Sequence, residues 1–375
     1  MAELRRLSVP TMMSYGIGEA AGAFKNTTWG VLLLFYYQQV VGVEAWLVGL
    51  AIAIAIIMDG ITDPLIGAWS DRIRTRWGRR HPMLLVSTVP LAITFVLLFT
   101  PPSGMSDWQG FFWLLTFGIL VRASYTFYNI PHLALGAEMA HDYYQRSTLF
   151  AYNAFFSAMS VAAVYGLITG YFFPTTEEFD PGFLNRDAYP IMSMTFAMIM
   201  VSAILICTFG TRKEIPHLRE TQQRPAMGFS TIFVEMWAVF QNKSFRALFF
   251  GMVLGSLIAG IESAFTPFMG IHFWGFRTEQ LFYLVFVGIF AFPISFMLIP
   301  MLTRHFDKRL TVIIPLASWI IAVNTPICLR LLDVPWYPSN DSPWVLVFFL
   351  MASTVGALAA PIIGASVNSM LADTA

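Results

Sequence analysis

The chain has 375 residues, of which 57% are hydrophobic, 16% aromatic and only 12% charged, and its mean hydropathy is +0.65. A soluble domain carries about 25% charged residues, so this composition predicts a membrane protein with several spans. The formal net charge is zero, which argues against a nucleic-acid partner. The two cysteines, Cys207 and Cys328, fall in apolar runs and are too few for a disulfide framework or a cysteine metal site.

Ten apolar segments are long enough to cross a bilayer, which takes about 20 residues. They cover about 10–41, 45–70, 82–100, 108–138, 147–172, 188–211, 245–272, 279–303, 310–330 and 343–371. The predicted fold class is therefore an all-α polytopic membrane protein with ten transmembrane helices, numbered one to ten in this order.

The loops between these segments alternate in charge. A cytoplasmic N-terminus places most of the 22 Lys and Arg residues in inner loops, as the positive-inside rule requires. The outer loops are acidic instead, with Glu177, Glu178, Asp180, Asp187, Asp333 and Asp341. We therefore expect a multi-pass protein of the plasma (inner) membrane with its N-terminus in the cytoplasm.

The longest inner connection, 212–244, divides the chain into a six-helix bundle, 1–211, and a second bundle, 245–375. It predicts an amphipathic helix at the inner surface, because its apolar residues share one helical face: Ile232, Phe233, Met236, Trp237 and Phe240. Both halves carry an Arg-rich turn at corresponding places, which is typical of parallel repeats in transporters. Two six-helix repeats need twelve helices, so either the sequence is truncated or the second half is incomplete.

Two carboxylates lie inside the second apolar segment. Asp59 and Asp63 are spaced i, i+4, so both side chains leave the same face of one helix. A charge at mid-membrane costs about 2.5–3.5 kcal/mol on insertion scales and usually marks a functional site. Two such acids repel each other, so we expect them to share a proton or a cation.

The sequence that follows carries a longer motif. Asp59-x-x-x-Asp63-Pro64 leads to Gly67 and Asp71-Arg72, and then to a turn with Arg76, Gly78, Arg79, Arg80 and Pro82. Together with Tyr15-Gly16-x-Gly18, Asn129-Ile130-Pro131 and Asp142-Tyr143, this resembles the glycoside–pentoside–hexuronide:cation symporters, a branch of the major facilitator superfamily. The resemblance implies a bundle of twelve helices, of which ten are present, and transport by alternating access. It also implies that Asp59 and Asp63 belong to the cation site.

Three positions depart from the family pattern. The family's acid in helix one, its acid in helix four and a sugar-binding arginine in helix five fall here on Ala23, Asn129 and Ala154. The pattern for sodium and galactoside is therefore incomplete, and both H⁺ and Na⁺ stay open as the co-transported ion.

Helix one offers replacement charges, Glu19 and Lys25. Depth in the membrane can be counted from the inner face at about 1.5 Å per helical residue. The depths obtained in this way predict that Lys25 pairs with Asp59 and that Glu19 lies near Asp63. We therefore assign Asp59, Asp63, Lys25 and Glu19 to cation or proton coupling. The alternative is a static salt bridge that holds helix one to helix two.

Helix four carries polar residues three and four apart: Arg122, Tyr125, Thr126, Asn129 and His132. We interpret the first four as a substrate-binding wall, with Arg122 able to bind an acidic or polyhydroxy group. The alternatives are a structural bridge between Arg122 and Asp59, and a merely packed His132. Glu262 in helix seven is a further substrate-site candidate, with a role at the gate as its alternative.

The loop after helix two resembles the inner-gate motif of the superfamily. This resemblance implies that charge pairs hold the cytoplasmic side shut, and the candidate gate residues are Asp71, Arg72, Arg76, Arg79 and Arg80. The alternative is that these arginines set only the topology.

The sequence thus predicts a cation-coupled symporter of a small polar solute, most simply a glycoside or other sugar. Its partners are a small-molecule substrate, the coupling cation and the bilayer, and we expect a monomer. No metal centre, other cofactor or enzyme activity is expected, because no ligand spacing, nucleophile–base set or phosphate loop occurs. The alternatives are a carrier of lysolipid or another amphiphile, and a non-transporting sensor or assembly partner.

Overall fold

The computed structural model describes residues 7–73, 75–140, 142–218 and 240–374. Extended pairing in these ranges is limited to an isolated bridge between Thr75 and Gly78, so the all-α prediction is confirmed. Each of the ten predicted segments is helical. The α-helices are α1 Val9–Ile17, α2 Glu19–Phe35, α3 Ala45–Arg72, α4 His81–Leu98, α5 Asp107–Met139, α6 Tyr143–Leu167, α7 Ala188–Gly210, α8 Lys243–Phe268, α9 Tyr283–His305, α10 Lys308–Leu331 and α11 Pro343–Thr374.

The first predicted span is interrupted at Gly18, where α1 ends and α2 begins. A Cβ at Gly18 would collide with the Tyr128 hydroxyl and lie 2.9 Å from Cβ of Cys207, so the close approach of α5 and α7 requires glycine here. The span then finishes in a π-helical turn, Tyr36–Val41. The Tyr37 hydroxyl fixes this turn by donating to the Leu98 carbonyl at 2.6 Å.

In the described ranges, nine helices are long and apolar enough to cross a membrane: α3 to α11. The two pieces of the first span, with 9 and 17 residues, are each too short by themselves. Many large apolar side chains on these helices are exposed, such as Ile57 at 67% and Val86 at 66%. Such surfaces suit lipid, because hydrocarbon tails are as apolar as the side chains.

Side-chain caps define several helix starts, as the local sequence allows. Ser106 accepts from the Gln109 amide while the Gln109 side chain accepts from the Ser106 amide, which forms a capping box at the start of α5. Asp142 accepts from the Gln145 amide at 2.7 Å at the start of α6. Asp307 does the same for the Leu310 amide at the start of α10.

The chain divides into two compact units, Met1–Glu220 and Thr221–Ala375. In the first unit, α4 packs on α5 and α7, while α6 packs on α1 and α2. Helices α3 and α5 run parallel. Each contacting pair between them joins residues whose sequence numbers differ by 63, so the register is constant along the helices. The pairs are Glu44 with Asp107, Ala55 with Gly118, Asp59 with Arg122, Asp63 with Thr126 and Gly67 with Ile130.

In the second unit, α11 packs against α8, α9 and α10. The Ser295 hydroxyl of α9 donates to the Leu358 carbonyl of α11 at 3.0 Å, and Gly356 lets α11 approach the Trp319 ring of α10. The predicted division into 1–211, 212–244 and 245–375 stays a prediction. Most of the predicted amphipathic helix, with Ile232, Phe233, Met236 and Trp237, lies outside the described residues.

Candidate coupling and substrate site

The α3 carboxylates face α5 one helical turn apart. Asp59 Oδ2 forms an ion pair with Nη2 of Arg122, and both side chains are mostly buried, at 22% and 16% exposure. Asp63 Oδ1 accepts from the Thr126 hydroxyl at 2.9 Å. Because 59 and 63 share a face of α3, as 122 and 126 share a face of α5, the parallel register brings both pairs together.

Arg122 connects the carboxylates to an aromatic side chain. Its Cζ lies 5.1 Å from the centre of the Trp29 ring, which is cation–π range. Its Nε is buried and has no hydrogen-bond partner among the described residues. The structure therefore contains the Arg122–Asp59 bridge that the sequence left as an alternative. A role for Arg122 in binding substrate stays a prediction.

The predicted pairing of Lys25 with Asp59 is wrong. Lys25 is 2% exposed, and its Nζ donates to Asn26 Oδ1 at 3.1 Å. The ammonium lies 4.8 Å from the Tyr125 ring centre and 5.5 Å from that of Trp29. Arg122 takes the carboxylate because the register of α3 and α5 places it directly opposite Asp59, whereas Lys25 comes from α2.

The predicted position of Glu19 near Asp63 stays a prediction. Glu19 Oε2 accepts from Nδ2 of Asn153 at 3.1 Å and lies 3.7 Å from Nε2 of His132. Its bonding partner is thus on α6, on which α2 packs, while Asp63 bonds to Thr126 of α5. The four residues assigned to coupling therefore occupy three different environments.

The polar residues of α5 divide between two faces. Arg122 and Thr126 face α3, whereas the Tyr125 hydroxyl lies against Gly22 of α2 and donates to Asn129 Oδ1 at 3.2 Å. The predicted single wall is thus two adjoining surfaces. One carries the ion pair, and the other carries the aromatic environment of Lys25.

The predicted gate residues Asp71, Arg79 and Arg80 form one charge cluster at the ends of α3, α4 and α5. Arg80 is 4% exposed; its Nη2 bonds to Asp71 Oδ1 at 2.6 Å and its Nη1 donates to the Ser70 hydroxyl at 2.5 Å. Glu138 Oε1 accepts from Arg80 Nε at 3.0 Å and from Nη2 at 2.8 Å, and it lies 3.2 Å from Nη2 of Arg79. The buried centre of this cluster is Glu138, which was not among the predicted gate residues.

Two predicted gate residues lie apart from the buried centre. Arg72 and Arg76 are both exposed. In the second unit, Glu262 is half-buried on α8. The backbone carbonyl of Glu262 accepts from the Thr266 hydroxyl at 2.6 Å, one turn further along the same helix.

The chain matches the family model for MFS/sugar transport proteins over residues 14–375. The inner membrane symporter YicJ of Escherichia coli is 33% identical over 143 residues, which are 38% of this chain and 31% of that protein. The isoprimeverose transporter of Lactiplantibacillus pentosus is 26% identical over 201 residues, which are 54% of this chain and 41% of the transporter.

The solved structure of the nucleoside transporter NupG shares the fold. Its TM-score is 0.64 at 13% identity, with 97% of this chain and 87% of that chain covered. The chain spans less than half the length of the two curated relatives above. The family match extends over nearly the whole chain, and the chain therefore belongs to the MFS/sugar transport protein family.

Proposed function

We propose that the protein is a cation-coupled symporter that carries a sugar or glycoside across the membrane by alternating access. The carboxylate pair of α3, held inside an apolar helix by partners from α5, is the observation that carries the proposal. The relatives support it, since one is named a symporter and another an isoprimeverose transporter.

The charge of the pair suits one monovalent cation. Asp59 and Asp63 carry two negative charges, and Arg122 compensates one of them. One oxygen of each carboxylate is bonded to α5, namely Oδ2 of Asp59 and Oδ1 of Asp63. The other two oxygens are available as ligands, and a bound H⁺ or Na⁺ would neutralise the remaining charge inside the apolar span.

The adjoining surface suits the sugar. Trp29 and Tyr125 offer aromatic rings, and Asn129 offers an amide for hydrogen bonds to hydroxyl groups. Sites for small polar molecules combine such apolar walls with a few convergent polar groups. Lys25 adds a cation that has no carboxylate within ion-pair distance among the described residues, so an acidic group on the solute would be favoured.

The remaining parts of the proposal follow from charge and family. The multi-pass protein lies in the inner membrane, its N-terminus is cytoplasmic and it acts as a monomer. The positive loops predicted to lie inside and the similarity to the inner membrane symporter YicJ support this placement. The relatives favour neither a lysolipid carrier nor a non-transporting sensor.

Uptake into proteoliposomes tests the function. Radiolabelled isoprimeverose and methyl glucuronide are the probes, with a sodium gradient and a pH gradient imposed separately. We expect one gradient to drive accumulation, and we expect Asp63→Asn to abolish it. Asp187→Asn is the matched control, because Asp187 is exposed in the same unit. Equal uptake by the two variants would contradict the assignment of the pair.

A further inference from the structure

A second titratable pair lies outside the α3 carboxylates, where α1 meets α2. His132 is fully buried, whereas the Glu19 side chain is 21% exposed. Glu19 Oε2 lies 3.7 Å from His132 Nε2, and Asn153 Oδ1 lies 3.4 Å from the same nitrogen. We propose that Glu19 and His132 form a binding site for one proton.

Both neutral tautomers of His132 fit the neighbours of its other ring nitrogen. The Tyr128 hydroxyl donates its single hydrogen to the Gly18 carbonyl at 2.7 Å, so towards His132 Nδ1, 3.4 Å away, it acts as an acceptor. The Cys207 thiol, 3.5 Å from the same nitrogen, acts as a weak donor. Nδ1 therefore has a partner both with and without a hydrogen.

The Nε2 side of the ring faces two oxygen atoms. Asn153 uses its Nδ2 to donate to Glu19, so its Oδ1 is what faces the ring. A neutral ring with its hydrogen on Nε2 serves these oxygens but leaves Glu19 as a mostly buried negative charge. One additional proton, on the ring or on Glu19, removes this charge.

The surroundings also favour a bound proton. The Tyr15 ring stacks on the His132 ring at 4.3 Å with an angle of 12°, which suits a positively charged ring. The titratable groups that face the pair are Tyr15 from α1, Tyr125 and Tyr128 from α5, and Cys207 from α7, while α6 contributes the neutral Asn153. None of these is a cation, so the proton is the positive charge that balances Glu19.

The proton site is connected to the break in the first span. The Tyr128 hydroxyl, which faces His132 Nδ1, bonds to Gly18, the residue between α1 and α2. Loss of the proton would leave an ionised, mostly buried Glu19 without a compensating charge at this junction. The inference rests on the proposed function for its role, since it makes the proton a co-transported ion, but proton binding itself does not depend on transport.

Magnetic resonance of the full chain in nanodiscs tests the site without a substrate. Histidine labelled with ¹⁵N and glutamate labelled with ¹³C at the carboxyl report both partners over about pH 5–8, where histidine charge changes. Difference spectra against Glu19→Gln and His132→Gln assign the two signals. His81 is the internal control, because it is buried and bonds to the Thr211 hydroxyl.

We expect the pair to take up one proton in this range, on either partner. In Glu19→Gln, His132 stays neutral throughout, and in His132→Gln the Glu19 midpoint moves by about one pH unit or more, as in coupled sites. An ionised Glu19 beside a neutral His132 at every pH would overturn the proposal. The proposal would also be overturned if the remaining partner titrated in each variant at the same pH as in the unmodified protein. Failed sugar uptake with normal proton binding would instead refute only the proposed function.

Discussion

Removing the carboxylate of Glu138 should destabilise the first unit far more than removing that of Asp71. Both carboxylates bond to the same guanidinium, that of Arg80. Their environments differ, because the Glu138 side chain is 8% exposed and that of Asp71 is 62% exposed. The comparison therefore isolates the effect of burial on one shared partner.

The magnitude follows from what each variant leaves behind. Glu138→Ala removes two hydrogen bonds to Arg80 and the contact with Arg79, and a mostly buried guanidinium remains. Removing one partner of a buried ion pair costs about 3–5 kcal/mol. Asp71→Ala removes an exposed partner, for which about 0–1 kcal/mol is typical.

Equilibrium unfolding in mixed detergent micelles, followed by tryptophan fluorescence, measures both free energies. Glu138→Gln is the matched control, because it keeps the acceptor Oε1 but loses the charge, and it should fall between the two alanine variants. Equal losses for Glu138→Ala and Asp71→Ala would refute the view that Glu138 is the buried centre of the cluster.

Gly136→Ala should destabilise by about 1–3 kcal/mol, since a Cβ there would lie 2.6 Å from Cζ of the buried Tyr15. Gly67→Ala, where the nearest atom is 3.7 Å away, should change the unfolding free energy by much less, and similar losses would contradict the packing. Asp59→Asn should lower stability because it leaves Arg122 mostly buried without its carboxylate. The double variant Asp59→Asn/Arg122→Gln should recover part of that loss in a double-mutant cycle, and strictly additive effects would argue against the bridge.

The helices and the carboxylate pair were predictable because they depend on local sequence. Apolar length located all ten helical segments, and the i, i+4 spacing placed Asp59 and Asp63 on one face. The interruption at Gly18 was not predicted. It arises where the Tyr128 hydroxyl and Cys207 approach the glycine, and such contacts come from distant parts of the chain.

The partners of the charged residues could not be predicted from depth alone. Lys25 and Arg122 both suited Asp59, and the register between α3 and α5 decided for Arg122. Glu138 lies at the end of α5, beyond the polar residues that the sequence singled out on that helix, so its role is visible only from its bonds to Arg80. The one available signal was an acid near the end of a predicted span, on the side where the arginine-rich turn is expected.

Ion movement that accompanies sugar entry tests the central claim most directly. Proteoliposomes without any ion gradient, loaded with a pH-sensitive or sodium-sensitive dye, receive external isoprimeverose or methyl glucuronide. A cation-coupled symporter must carry the ion inward with the sugar, so the account predicts a dye response that Asp59→Asn and Asp63→Asn abolish. Sugar entry with no movement of protons or sodium would contradict it.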